Sequence, residues 1–355
     1  MSTVLVLIAI FSTTFGAIWI AVTPNEAKTE RNSVALGALL GSAAIVWWLL
    51  SLGLHSGVYP AFNIGVASLS LSFSLDPLGL TYGVLASTLW VFASVYSFGY
   101  MDQDRKQRQY FSFFLLSAGI TLGIAFAGNL FTFYLFYELL TFATYPLVVH
   151  AGNKEALEAG TKYIKYSLTG ASFILAGIVM LWRVTGGVLD FGSLPAALGS
   201  ASPSQLVVLL FLFLIGFGVK AAVMPFHGWL PSAMVAPTPV SALLHAVAVV
   251  NAGVFGVLRT IYSVFGTEVI QSMNVRPILL VICSITILMG SFIALKQDVL
   301  KRRLAYSTIS QLAYILLGAF MLHPLALAGA ILHMIFHSTL KIVLFFSAGI
   351  VAEET

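Results

Sequence analysis

"LFTFYLFYELLTFATYPLVV", residues Leu130 to Val149, runs for twenty residues with one charge, Glu138. A spanning α-helix needs about 20 mainly apolar residues, and this stretch has that length. Strands of membrane barrels instead alternate apolar and polar positions over about 10 residues, and no such alternation is present. The stretch therefore reads as a membrane helix. Glu138 then poses the functional question, because a charged side chain at the helix centre costs about 2.5–3.5 kcal/mol on insertion scales.

The rest of the chain repeats the pattern. Of 355 residues, 59% are hydrophobic and 8% charged, against about 25% charged in a soluble domain. The fold class is an all-α polytopic membrane protein. Eleven spans are expected, at 3–23, 33–54, 78–99, 110–128, 130–150, 165–183, 205–224, 239–260, 275–295, 303–322 and 325–351. The first, Val4–Val22, lacks a basic leader and reads as a retained helix.

The basic residues set the orientation. Lys28, Arg31, Arg105, Lys106, Arg108, Lys154, Lys162, Lys165, Lys296, Lys301, Arg302 and Arg303 fall on one side, and Arg183, Arg259 and Arg276 on the other. The N-terminus is expected outside and the C-terminus in the cytoplasm, across the cell (inner) membrane. The net charge of +4 is thus a topology signal, and no nucleic-acid partner is implied. The single Cys283 excludes an internal disulfide, a cysteine zinc cluster and an iron–sulfur site.

Two connections are not plain loops. Asn153–Tyr163, "NKEALEAGTKY", reads as a short amphipathic helix at the cytoplasmic interface. Gly186–Ser204 is Gly-, Ser- and Pro-rich, as an outer loop would be. After the seventh span, Pro225, Pro231, Pro237 and Pro239 crowd together, so that stretch is not one regular helix. Broken backbone in a membrane is tolerated where it lines a cavity or is buried in protein.

The ionisable residues concentrate around that break. Glu138 is the only one of 13 acidic residues deep in a span. Lys220 and Lys341 are comparably placed, and His227 and His245 lie after the break. His333, His337 and Lys341 stand at i, i+4 and i+8, on one helix face, which should face the interior. Such residues usually mark a proton or ion route. The plainer readings are a structural ion pair for Glu138 and Lys220, and a helix-end hydrogen bond for His227. For His245 and Asn251 the plainer reading is interhelical hydrogen bonding. His55, His150 and His323 sit at span ends, as interfacial residues do. Zinc at His333 and His337 fits the H-x-x-x-H spacing, but "HMIFH" lacks the glutamate of H-E-x-x-H and a third ligand.

Four ordered blocks carry a family resemblance: "YLFYELLTFATYPLV", "VKAAVMPFHGWLPSAMVAPTPVSALLHAVAVVNAGVFGVLR", "DVLKRRLAYSTISQLAYILLG" and "LHMIFHSTLKIVLFFSAG". Over about residues 70–350 the chain resembles the antiporter-like subunits of respiratory complex I, of Mrp cation/proton antiporters and of membrane-bound hydrogenases. The resemblance implies inverted five-helix repeats, each with a broken helix. The chain then divides into N-terminal helices at 1–109, a first repeat at 110–260 and a partial second repeat at 275–355. It also implies that Glu138 and Lys220 form a pair whose separation tunes the lysine's proton affinity. His245 would relay protons to His333, His337 and Lys341, with Pro239 in the loop entering the histidine's helix.

Two features depart from the family. The charged residue of a later broken helix is missing, because the chain stops at "GIVAEET", and Asn251 stands where several relatives carry lysine. The expected function is a proton- or sodium/proton-translocating subunit of a multisubunit membrane complex. Its partners would be other membrane subunits, the bilayer, and protons or sodium. No cofactor and no redox centre are expected in this chain. The alternatives are a non-pumping structural subunit of such a complex and an intramembrane metalloenzyme built on His333 and His337.

Overall fold

The computed structural model describes residues 2–56, 61–64 and 70–354. The chain forms two compact units, Met1–Asn153 and Lys154–Thr355.

The first unit holds α1 (Ser2–Val22), α2 (Lys28–Ser56), α3 (Pro77–Tyr100), α4 (Gln107–Ala125) and α5 (Leu130–Val148). Helix α1 packs on α2 and α4, and α3 on the same two helices. Between α2 and α3, strands β1 (Ala61–Ile64) and β2 (Leu71–Ser74) pair antiparallel. Strand β2 fastens the tight α4–α5 turn. Gly128 N donates to the Ser72 carbonyl at 2.7 Å, and Asn129 Nδ2 donates to the Ser70 carbonyl at 2.9 Å. Asn129 also caps α5, its Oδ1 accepting from Thr132 N at 2.7 Å. That satisfies one of the N–H groups a helix start leaves open and fixes where the Glu138 helix begins.

The second unit holds α6 (Lys154–Val184), α7 (Pro203–Lys220), α8 (Thr238–Ala246), α9 (Val249–Arg259), α10 (Arg276–Leu295), α11 (Leu300–Phe320) and α12 (Pro324–Glu354). The expected interfacial helix at 153–163 is not a separate element. It forms the first turns of α6, which runs unbroken for 31 residues, about 46 Å at 1.5 Å per residue. No Gly or Pro cap interrupts it before Val184, so the helix simply continues into the span. Helices α6 and α7 cross closely at two glycines: a Cβ on Gly170 would lie 2.8 Å from the Gly216 carbonyl oxygen. Small residues at such crossings let membrane helices approach.

Helix α8 packs on α12, α9 on α7 and α11, and α11 on α10 and α12. The span Thr238–Phe265, made of α8, α9 and a π-helical turn at Thr260–Phe265, is buried except at Tyr262 and Ser263, whereas α10 is 33% buried. The core of this unit is therefore α8 and α9, with α10 and the outer face of α12 turned outward. Among the described residues eight helices are long and apolar enough to cross a membrane. The other three expected spans are α4, α5 and α11, helices of 19, 19 and 21 residues that fall short in apolarity.

Candidate functional site

Lys220 is the last residue of α7 and is 1% exposed. Helix carboxyl ends carry a partial negative charge, so the α7 terminus itself favours an ammonium there. The chain then leaves the helix: Val223 N donates to the Gly218 carbonyl at 3.0 Å, and Ala222 adopts φ 53°. Through Val235 the backbone makes only 3₁₀ and single-turn pieces at Phe226–Gly228, Trp229–Ser232 and Ala233–Val235. This is the break that the four prolines predict.

Several contacts hold the broken segment. The buried Trp229 indole N–H donates to the Val219 carbonyl at 2.8 Å. Lys162 Nζ on α6 donates to Ser232 Oγ at 3.0 Å, and Lys301 Nζ on α11 donates to the Ala236 carbonyl at 3.4 Å. From α9, Gly253 comes so near that a Cβ there would lie 2.7 Å from the Lys220 carbonyl carbon. Any larger residue would push the Lys220 end away. Pro239 falls in the first turn of α8, where a missing N–H breaks no helical bond. His227 is half-buried, its ring 6.2 Å from that of Tyr306.

A second break was not expected. The eighth span reads as continuous in sequence, but α8 ends at Ala246 and α9 starts at Val249. Neither Pro nor Gly causes it. Asn251 Nδ2 donates to the Ala246 carbonyl at 2.7 Å, so a side chain enters the hydrogen-bond ladder, a recognised cause of kinks. The same amide nitrogen donates to Ser338 Oγ on α12 at 2.8 Å. Asn251 thus bonds both across the break and to the neighbouring helix.

His245 lies just before this break and is fully buried. Its ring packs on Phe345 of α12 at 5.0 Å. Neither ring nitrogen has a hydrogen-bond partner among the described residues, nor has Asn251 Oδ1 or His337 Nε2. Buried polar atoms are nearly always paired, so these unpartnered atoms mark the polar positions in the core of this unit.

Helix α12 adds to them. His337 and Lys341 are buried, at 5% and 3% exposure, while Leu332, Phe336 and Leu340 point outward. The rings of His333 and His337 stack at 6.4 Å. His333 Nε2 meets Gln311 Oε1 at 2.8 Å, and Lys341 Nζ donates to the Leu304 carbonyl at 3.0 Å. Both partners lie on α11. The structure therefore gathers His245, Asn251, His337 and Lys341, with His333 at the edge and Lys220 at the α7 terminus. Glu138 belongs to the first unit, half-buried on α5 between the exposed Leu135 and Leu139. His150, just past the end of α5, is buried against Asp104, Nε2 to Oδ2 3.0 Å. The side chain of His55 lies outside the described residues. Ser338, Gln311 and the Leu304 carbonyl were not legible, since each becomes polar company only when α11 and α12 pack.

Residues 127–355 match the family model described as NADH:quinone oxidoreductase/Mrp antiporter, TM. Residues 62–111 match that of NADH-ubiquinone oxidoreductase (complex I), chain 5 N-terminus. NAD(P)H-quinone oxidoreductase subunit 5 of the organellar chromatophore of Paulinella chromatophora is 33% identical over 90% of this chain and 47% of its own length. NADH-quinone oxidoreductase subunit N of Desulforudis audaxviator is 35% identical over 79% of this chain and 56% of its own length. A component of a probable K(+)/H(+) antiporter of Rhizobium meliloti is 32% identical over 90% of this chain and 32% of its own. The chain thus spans about half, or less, of the curated relatives it matches. The fold is shared with a chain of an archaeal membrane-bound sulfane sulfur reductase, with a TM-score of 0.88, 22% identity, and coverage of 99% of this chain and 71% of that one. It is also shared with a chain of the Mrp complex of Dietzia sp. DQ12-45-1b, with a TM-score of 0.83, 26% identity, and coverage of 97% and 37%.

Proposed function

This chain belongs to the NADH:quinone oxidoreductase/Mrp antiporter family of membrane subunits, and on that premise we propose that it moves protons, or exchanges sodium for protons, as one subunit of a larger membrane complex. The observation that carries the reading is the buried line of His245, Asn251, His337 and Lys341 within the second unit. Four ionisable or amide side chains in a membrane bundle are costly, and two of them are imidazoles, which take and give protons near neutrality.

In this reading Lys220 holds a proton at the end of α7, and Glu138 sets how firmly it is held. A carboxylate brought near favours the ammonium, and one moved away releases the proton. His245 accepts it beside the second break, and His337 and Lys341 carry it along α12. Pro239 and the broken segment keep the backbone open beside Lys220. His227 and His333 border the route. The distribution of basic residues supports an N-terminus outside and a C-terminus in the cytoplasm. Neighbouring subunits would supply the driving reaction.

The test is ion movement in vesicles carrying the assembled complex. Glu138→Gln and Lys220→Ala each abolish pumping while the protein still assembles. Full pumping by both variants would sink the proposal.

A further inference from the structure

One face of α6 changes character along its length. At its aqueous end, Lys154, Lys162, Lys165 and Tyr166 line an open groove of about 550 Å³. Further along the same face come the exposed Leu168, Leu175, Val179 and Trp182. At 100° per residue Lys154, Lys165, Leu168, Leu175, Val179 and Trp182 fall within about 100° of arc, basic first and then apolar, and Lys162 borders that stripe about 60° from Lys165. An amphiphile with a negative head and a hydrocarbon tail has that sequence of demands.

We propose that this stripe seats an anionic phospholipid of the surrounding bilayer. Lys162 and Lys165 hold the phosphate, Lys154 and the Tyr166 hydroxyl flank it, and an acyl chain lies along Leu168, Leu175 and Val179. Glu158 also lines the groove, 3.9 Å from Lys154, and offsets one positive charge. Lys154 and Glu158 are strongly exposed, at 92% and 69%, so their pair is weak and leaves Lys154 free to turn to a phosphate. A free phosphate ion would use the lysines but not the apolar stripe, and the stripe is what favours the lipid. Because Lys162 also donates to Ser232 in the broken segment, the headgroup would touch the same side chain that holds the break in place. The proposal goes beyond ion transport, and its readout is lipid retention alone.

The experiment is native mass spectrometry of the purified chain, or its complex, with phosphatidylglycerol or phosphatidylcholine of matched chains added back. The wild type retains phosphatidylglycerol in preference. Each basic residue near a membrane surface contributes about fivefold to binding, so Lys162→Gln with Lys165→Gln weakens retention about twenty-five-fold. Lys162→Arg with Lys165→Arg keeps it, and Glu158→Gln, which removes only the weak exposed pair with Lys154, strengthens it several-fold. Equal retention of the two lipids overturns the proposal, as does a Glu158→Gln variant no tighter than wild type. Displacement of the lipid by millimolar inorganic phosphate would assign the groove to a free anion and overturn it as well.

Discussion

The side-chain amide nitrogen of Asn251 stands 2.7 Å from the carbonyl oxygen of Ala246, five residues back on the other side of a helix break. The same nitrogen reaches Ser338 on α12 at 2.8 Å. One amide therefore ends α8 and ties the broken span to its neighbour.

Asn251 and Ser338 should be energetically coupled. In a double-mutant cycle with Asn251→Ala and Ser338→Ala, the interaction energy should be about 0.6 kcal/mol and not above about 1.7, the range for hydrogen bonds between membrane helices. Unfolding in mixed micelles measures it. A coupling of zero would mean that the two side chains do not meet.

Gly253 should tolerate no large side chain. Gly253→Leu forces α9 off the Lys220 terminus, since even a Cβ would lie 2.7 Å from the Lys220 carbonyl carbon. Overpacking of this kind costs about 1–3 kcal/mol. The expected result is a lower thermal midpoint together with lost ion movement, while Gly99→Leu, where a Cβ would meet nothing within 4 Å, changes neither.

What could be read from the sequence followed the strength of each local signal. Long apolar runs announced the spans, and four prolines announced the break after Lys220. The face of His333, His337 and Lys341 was legible because i, i+4 spacing is a property of the helix alone. The break at Val247–Ala248 was not, because its cause is a hydrogen bond from an asparagine that looks unremarkable in "HAVAVVNAG". Helix α6 was divided too early for a similar reason. Its first turns are polar and its later ones apolar, and composition changed where the backbone did not. The pairing of Glu138 with Lys220 was read from resemblance; the two residues lie in different units.

An apolar replacement separates a structural ion pair from a working one. If Glu138 and Lys220 pair as proposed, Glu138→Leu with Lys220→Met removes both charges together, a change that is often neutral or stabilising for a buried pair. The double variant should insert and assemble normally and move no ions. Ion movement at wild-type rate in vesicles would assign the pair a structural role.

Trp229 should matter through one bond. Trp229→Phe keeps most of the ring but removes the indole donor to the Val219 carbonyl, which retains the Ala222 N–H at 3.1 Å. The loss is then one hydrogen bond and not an orphaned acceptor, about 0.5–1.5 kcal/mol. Thermal unfolding in detergent should show a midpoint below wild type, and an unchanged midpoint would mean that the indole bond adds nothing to stability.

The unbroken length of α6 has a mechanical meaning. Its contact with α7 at Gly170 and Gly216 falls near its midpoint. About 24 Å of helix lies on the Lys154 side and about 21 Å on the Val184 side, at 1.5 Å per residue. The Lys154 arm is also tied to the broken segment, by Lys162 to Ser232 and by the Tyr163 ring against Trp229 at 5.2 Å. Helix α6 is therefore a brace fixed at two points, one turn before Lys220 and again just beyond it.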